Sequence, residues 1–460
     1  MICFCTSCKG GDGGLFSKDE EKKKSTGLEI PYSREDGMNP FTATSLMNEK
    51  LMPLLYSGLF KIDVNYNPEN DIASDITFEG KRAIVKLKSS RSFSNGRGIT
   101  ADDVVYSFKR AKESPFYSTA LQNINSCHAT STYEVEFSLP YKNIYVASVL
   151  TFPIVESQSA NSSDDIPASS GPYKYEVAAE GGKLTPSNVY STSYELDEIS
   201  LINISDSETL HFNRVVGNLD AIFDDFASGD STRITGSSAK VDLNNLVYIG
   251  INQNVTVFKS AEVRKNLFCA LDRAALLNSG FEGYGAVTDL PFNFNWYVAK
   301  DLKGNMIPRD QAKSYMDSHI DKYVVNILVN SDNNFKRKMA DELSNQLRIM
   351  GISTKIVAVK YGVYKSAVEA GRYDLYIGEY KLTNDMNIVD VLGDDAVVES
   401  YRSMIAGDIK PEDFMKVYNE AQPIIPVCMR YGVLAYSEAM EGSVKPLPNN
   451  PYASITEWFI

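Results

Sequence analysis

Among the residues able to do chemistry, four pairs of adjacent aspartates come first: Asp102-Asp103, Asp164-Asp165, Asp224-Asp225 and Asp394-Asp395. Two carboxylates facing each other across a cleft can share acid and base work on a glycosidic bond. Neighbours in sequence do not supply that geometry, so these pairs are expected on solvated loops or helix starts. The three histidines, His128, His211 and His319, stand far apart, which argues against a histidine-built metal site or catalytic centre. Cys127, Cys269 and Cys428 are isolated too, and are expected as small core residues. No G-x-S-x-G elbow, phosphate-binding P-loop, H-E-x-x-H or dinucleotide fingerprint occurs. The inventory favours binding over bond-making, with no catalytic residue, no metal ligand and no cofactor expected. The 27 Tyr against 2 Trp fit that reading, since Tyr offers a broad face and a hydrogen-bonding tip to a ligand.

The elements that must position such a site are legible in outline. The chain has 460 residues, 43% hydrophobic and 23% charged, close to a soluble globular average. Its 46 Lys and Arg against 59 Asp and Glu leave a net charge of −13 with no basic block, which excludes a phosphate-neutralising surface; nucleic acid is not an expected partner. No apolar run approaches the ~20 residues of a membrane-spanning helix. Residues 28–165 read as short strands and turns, with Ala83, Val85 and Leu87 alternating onto one face. Thr100-Ala-Asp-Asp103 opens a helix in the manner of a capping box. Residues 157–170 are Ser- and Asp-rich and read as a loop.

The second half changes character. Ser260 is expected to cap one long helix with Val263, Leu267, Ala270, Leu271, Ala274 and Leu277 on a single stripe. Strands are expected at 323–329, 352–359 and 373–377, separated by helices at 335–350 and 363–370. That alternation predicts a parallel sheet covered by helices. Cys3, Cys5 and Cys8 crowd the N-terminus ahead of Lys9-Gly-Gly-Asp-Gly-Gly14 and Lys18-Asp-Glu-Glu-Lys-Lys-Lys24, a composition that makes a solvated tether. The order of small residues Thr6 and Ser7, then Cys8, then a linker resembles a bacterial lipobox. It is read as the end of a signal peptide whose start lies upstream, with Cys8 the acylated residue.

Several segments in fixed order carry a wider resemblance. They are Asn39-Pro40, Leu54-Leu-Tyr-Ser-Gly-Leu59, Phe93-Ser-Asn-Gly-Arg-Gly-Ile-Thr-Ala-Asp-Asp-Val-Val-Tyr-Ser-Phe108 and Ser170-Gly-Pro-Tyr173. Val263-Arg264 with Ala270-Leu-Asp-Arg273, Tyr373-Asp374-Leu375, and Ile425-Pro426-Val427 ahead of Ala439-Met-Glu-Gly442 follow. Together they resemble the bacterial extracellular solute-binding proteins of the peptide, dipeptide and nickel class, the lipoproteins that feed ABC importers. The resemblance implies an α/β, two-lobed periplasmic-binding-protein-like fold with hinge crossovers near 248–251 and 432–435. It also implies an extra β-rich subdomain in the first lobe. Lobe I would comprise 28–45, 165–249 and 436–460, its β-rich subdomain 46–164, lobe II 250–435, and the tether 1–27.

The same resemblance implies a monomer on the outer face of the cell membrane. It would hold a peptide or other small solute, meet permease subunits of the importer, and reach the membrane through a lipid on Cys8. A sensory lipoprotein, or a binder of a nickel chelate, are the alternatives. By position, Thr44, Ser45 and Leu46 would border the ligand cleft from the first lobe. Tyr248 and Asn252 would lie at a crossover, and Gly378, Glu379, Tyr380 and Asp385 would face from the second lobe. Relatives that bind peptides carry Gly-Trp after the Tyr-Asp strand and then an acid for the peptide amine. Here Glu379 stands in place of the Trp, and Asp385 or Glu379 is the expected anchor.

Overall fold

The computed structural model describes residues 27–460 apart from 179, 180, 191, 231–233, 235, 321 and 322, so the tether and Cys8 lie outside the described residues. The strand Val324–Asn330 pairs in parallel with Ser353–Val359 on one side and with Leu375–Lys381 on the other. Its alternation explains why: Val325, Ile327 and Val329 enter one apolar cluster, whereas Leu328 enters another. A strand apolar on both faces must be covered twice. Phe335, Met339, Leu343 and Leu347 of helix Asn334–Ile349 cover the first face. Tyr364, Ala367 and Val368 of helix Tyr361–Glu369 pack in the same cluster as Leu328 and cover the second. Asn333 caps the first of these helices by accepting from the Lys336 amide at 3.0 Å, and Gly351, at φ +77°, ends it.

The expected long helix from Ser260 is two. Ala261–Ala270 stops at Leu271, which is extended, and Arg273–Phe281 restarts because the Asp272 carboxylate accepts from the Ala275 amide at 3.0 Å. Asp in this place stabilises a new helix start better than a helix interior, so the continuous apolar stripe misled. The expected strand 373–377 also runs differently: it spans Leu375–Lys381 and so includes Gly378, Glu379 and Tyr380. These three pair with Tyr248, Val247 and Leu246 of the neighbouring strand. Gly378 lies opposite Tyr248, and Gly250 lies opposite Tyr376. A Cβ on Gly378 would come within 2.5 Å of the Tyr248 ring, and one on Gly250 would overlap the Tyr376 ring. Each glycine makes room for the tyrosine across from it, and the two hydroxyls meet at 3.0 Å.

The lobes are joined by two long antiparallel strands, Ser237–Ile251 and Ile424–Tyr436, with Ala221–Asp224 added at one edge. Core membership changes along them. Val241, Leu243 and Leu434 pack in the first lobe; Val247, Ile249, Ile425, Val427 and Val433 pack in the second. Apart from Val433, which lies beyond it opposite Lys240, the change falls at a break in register between Asp242 and Asn245, where Asn244 takes φ +55°, across from Tyr431 and Arg430. Segments 248–251 and 432–435 are opposite ends of this ribbon: residues 248–250 pair with 424–426, and 432–435 with 238–241.

In the first lobe, Leu28–Tyr32 runs parallel to Ile199–Asn203, and Gly181–Pro186 and Tyr173–Ala178 extend the sheet antiparallel. A second, fully antiparallel sheet is built from Ala73–Glu79, Arg82–Leu87, Glu134–Ser138 and Ser126–Ser131. Both sheets share one core that includes Leu51, Phe93, Phe108, Phe137, Tyr173, Cys127 and Trp458. The 93–108 motif organises it. The Asp103 carboxylate accepts from the Thr100 amide at 2.9 Å and from the Ser157 amide at 2.9 Å, and it pairs with Arg97. Arg97 also meets Glu156 at 2.7 Å. Asp102-Asp103 is therefore a helix start that pins a distant loop. Asp394 likewise caps a helix, accepting from the Ala396 and Val397 amides at 3.1 Å. Cys127 and Cys428 are buried and Cys269 partly so, and all three are free thiols.

Candidate functional site

The helix Leu46–Leu55 follows a Ser45 cap whose hydroxyl accepts from the Asn48 amide at 3.2 Å. It sets Glu49, Met52 and Pro53 along one wall of a cavity of about 390 Å³, within the usual ~300–1,000 Å³ of ligand pockets. The 56–62 turn and strand, Asp71, Tyr117 and Thr151 form a second wall, Tyr190 and Thr192 a third, and the 447–456 loop closes it. Asn384 reaches in from the second lobe. The cavity thus sits where the first-lobe body, the β-rich part and the second lobe meet. Its charged members differ in how far they are used. Asp71 is tied to Arg91 at 3.1 Å, and Arg91 stacks on the Tyr190 ring 4.8 Å away. Lys61 meets Glu69 at 3.3 Å. Glu49 meets Lys50 at 3.0 Å through one oxygen.

None of the nine residues expected at the cleft lines this cavity. Thr44 is held by Asp36, whose carboxylate accepts from its hydroxyl at 2.7 Å, and Ser45 is the helix cap described above. Leu46 packs on the first-lobe core. Tyr248 is buried in the second lobe beside Tyr376, and Asn252 donates to the Gly371 and Tyr373 carbonyls at 2.9 Å. Tyr380 donates to Asp390 at 3.0 Å. Glu379 is enclosed by Arg430 at 2.6 Å and Lys336 at 2.9 Å, with the Asn245 amide donating at 2.7 Å. Burial works to raise its pKa, but Arg430 and Lys336 outweigh it and hold the carboxyl at about 2. Asp385 is 6% exposed and accepts from Asn143 of the β-rich part at 2.8 Å and from Thr383. Burial raises its pKa, opposed by those two hydrogen bonds.

Around Asp385 the second lobe touches the first at several further points. The Asn384 amide donates to the Ser148 carbonyl at 3.1 Å. The Ile144 amide donates to the Ile405 carbonyl at 2.9 Å. The Tyr145 ring meets Trp296 edge-on at 5.2 Å between centroids. Two lobes on a crossing ribbon, a β-rich addition to the first and a chamber at their meeting point form the architecture of a binding protein. Residues 67–387 match the middle region of the bacterial extracellular solute-binding proteins, family 5.

The chain belongs to this family.

Its members bind solutes rather than transform them. The oligopeptide-binding protein AppA of Bacillus subtilis is 24% identical over 423 residues, covering 81% of this chain and 77% of that protein. The crystal structure of a putative peptide-binding AppA from Clostridium difficile superposes with a TM-score of 0.69 at 18% identity, over 94% of this chain and 100% of that one. The open, unliganded murein-tripeptide-binding protein MppA superposes at 0.75 with 14% identity, over 95% and 98%. No helix among the described residues is long and apolar enough to cross a membrane.

Within this family-5 fold, the cavity residues that sequence reasoning passed over are Glu49, Tyr117, Tyr190, Asn384, Asn449 and Asn450. Glu49 was visible only as an acid in the first turn of a capped helix, the place where a carboxylate favours the helix dipole. The others lie on loops with no periodic signal.

Proposed function

We propose that this family-5 protein captures peptides in the cavity between its lobes and delivers them to an ABC importer. It does so as a monomeric lipoprotein, held by an acylated Cys8 on the outer face of the cell membrane. The observation that carries the reading is the lining of the cavity by both lobes. An occupant that touches Asn384 together with Glu49, Tyr117 and the 447–450 loop favours the arrangement in which the lobes meet, and closure is a population shift of that kind. The mixed lining of carboxylates, amides, hydroxyls and tyrosine rings suits a ligand with a polar backbone and varied side chains. Of the possible solutes, peptide is favoured by the AppA relative, which is named for oligopeptides. The divisions at 45/46 and 164/165 belong to the same proposal, while those expected at 249/250 and 435/436 move to the register break at 242–245 and 430–431, where core membership changes.

Native mass spectrometry of protein purified without refolding is expected to release a series of masses that fragment as peptides. A single non-peptidic species, such as a metal chelate, would replace peptide as the ligand. Expression in a bacterial host with a fatty-acid analogue is expected to label the wild type and to leave Cys8→Ser unlabelled and soluble. A labelled, membrane-bound Cys8→Ser variant would remove the anchor from the proposal.

A further inference from the structure

Four carboxylates near the lobe junction are candidates to meet a cationic group of a ligand: Glu49, Asp71, Glu379 and Asp385. Two are fully engaged and outside the cavity, and a third is buried against a cation. Both Glu379 oxygens are taken, one by Arg430 and Asn245 and the other by Lys336. Both Asp385 oxygens are taken, by Asn143 and by Thr383. Neither residue lines the cavity. Asp71 does line it, but its side chain is 8% exposed and is bound to Arg91. Glu49 is different. It lines the cavity, its side chain is 20% exposed, and only its Oε1 is used, by the Lys50 ammonium. Its Oε2 receives no hydrogen bond from the described residues.

Lys50 itself is 3% exposed and lies 5.6 Å over the Phe223 ring, so it is packed as part of the wall and is not available to a ligand. Burial opposes the charge on Glu49, yet Lys50 and Lys381 keep its pKa below the usual range, and the group is ionised at neutral pH. Tyr117 lines the same cavity within the field of Glu49, and its hydroxyl too makes no hydrogen bond to the described residues. Asn449 and Asn450 add side-chain oxygens that are buried without partners. An ammonium brings three N–H donors and no acceptor; a half-used carboxylate beside an unused hydroxyl is a receptor for such a group.

We infer that Glu49 is the carboxylate that anchors the ligand's amino terminus, with the Tyr117 hydroxyl as a second acceptor, so that peptides with a free, cationic amine are preferred. This rests on the peptide reading above and assigns the anchor to the first-lobe helix Leu46–Leu55.

The test uses a pool of tri- to pentapeptides and the same pool N-acetylated, offered to the full chain and read by native mass spectrometry and by competition. Wild type is expected to prefer the free pool by about ten- to a hundredfold, the worth of a charge-assisted hydrogen bond. Glu49→Gln is expected to lose that preference while still retaining peptides. Loss of the carboxylate leaves Lys50 without its partner, so Glu49→Asp provides a second variant that keeps the charge one methylene further back. It is expected to show a reduced preference. If Glu49→Gln or Glu49→Asp discriminates the pools as wild type does, or if wild type does not discriminate, Glu49 is not the anchor and the peptide reading survives. If neither pool binds wild type, the peptide reading fails and this inference with it.

Discussion

Glu379→Gln is expected to lower the stability of the second lobe by about 3 kcal/mol at pH 7, and by progressively less in acid. The side chain is 11% exposed and is wedged between Arg430, itself 5% exposed, and Lys336, 18% exposed. Removing the anion strands two cations in a poorly solvated place, which costs about 3–5 kcal/mol in comparable sites. Protonation leads to the same magnitude. The folded carboxyl titrates at about 2 against 4.5 for the free group, and a gap of that size is worth about 3 kcal/mol of linkage. Because the folded pKa is depressed, this stabilisation is fully present above pH 4.5 and is lost as pH falls through 4.5 towards 2. The difference between wild type and Glu379→Gln is therefore expected to close over that window. The chain reports it conveniently, since Trp296 is buried in a second-lobe cluster and Trp458 in the first-lobe core. Urea unfolding followed by fluorescence in a Trp458→Phe background isolates the second lobe. Equal midpoints for the two proteins at pH 7 would overturn the account.

Glu379 also shows where reading the sequence succeeds and where it stops. The parallel strands and their helices were legible because their burial is periodic: every second residue of Val325–Val329 and every third or fourth of Phe335–Leu347 faces the core. The end of the strand Leu375–Lys381 was not legible. Gly378 and Glu379 were expected beyond the strand end, at the ligand cleft, and partners far away in sequence place both inside the strand instead. The Tyr248 ring fills the space over Gly378, and the charge on Glu379 is matched by Arg430, 51 residues later. A strand that buries a carboxylate looks like a strand only when its cations are in view.

The cavity was illegible for a related reason. Its walls come from the helix Leu46–Leu55, the 56–62 segment, single residues such as Tyr117 and Asn384, and the 447–456 loop. No short motif spans these. The ordered motifs that carried the family resemblance do other work: Asp103 and Arg97 pin the 156–157 loop, and Arg264 of the Val263-Arg264 pair donates to the Ala421 and Gln422 carbonyls. They are signatures of how the lobes are built, so they identify the fold more surely than the ligand.

Asp385→Ala is expected to weaken peptide binding by about five- to 150-fold while leaving the preference for a free amine intact. The Asp385 carboxylate sits on the second lobe and accepts from Asn143 on the β-rich part at 2.8 Å, so the bond exists only while the two are together. Its neighbours repeat the pattern, with Asn384 on Ser148 and Ile405 on the Ile144 amide. Truncation leaves the Asn143 amide buried without its acceptor in the closed arrangement, whereas in an open one water satisfies it. An unmet buried donor of this kind costs about 1–3 kcal/mol. Because the cost falls on one state alone, it becomes a shift of the open–closed equilibrium by the factor given above. Ligand affinity, which is scaled by the fraction of closed molecules, falls with it for free and N-acetylated peptides alike. Small-angle scattering of the unliganded variant is expected to show a larger radius of gyration than wild type, with saturating peptide restoring compaction. Two results would contradict the clasp. One is an unchanged radius and affinity, which would make the bond incidental to closure. The other is a loss confined to peptides with a free amine, which would return the anchoring role to Asp385 and take it from Glu49.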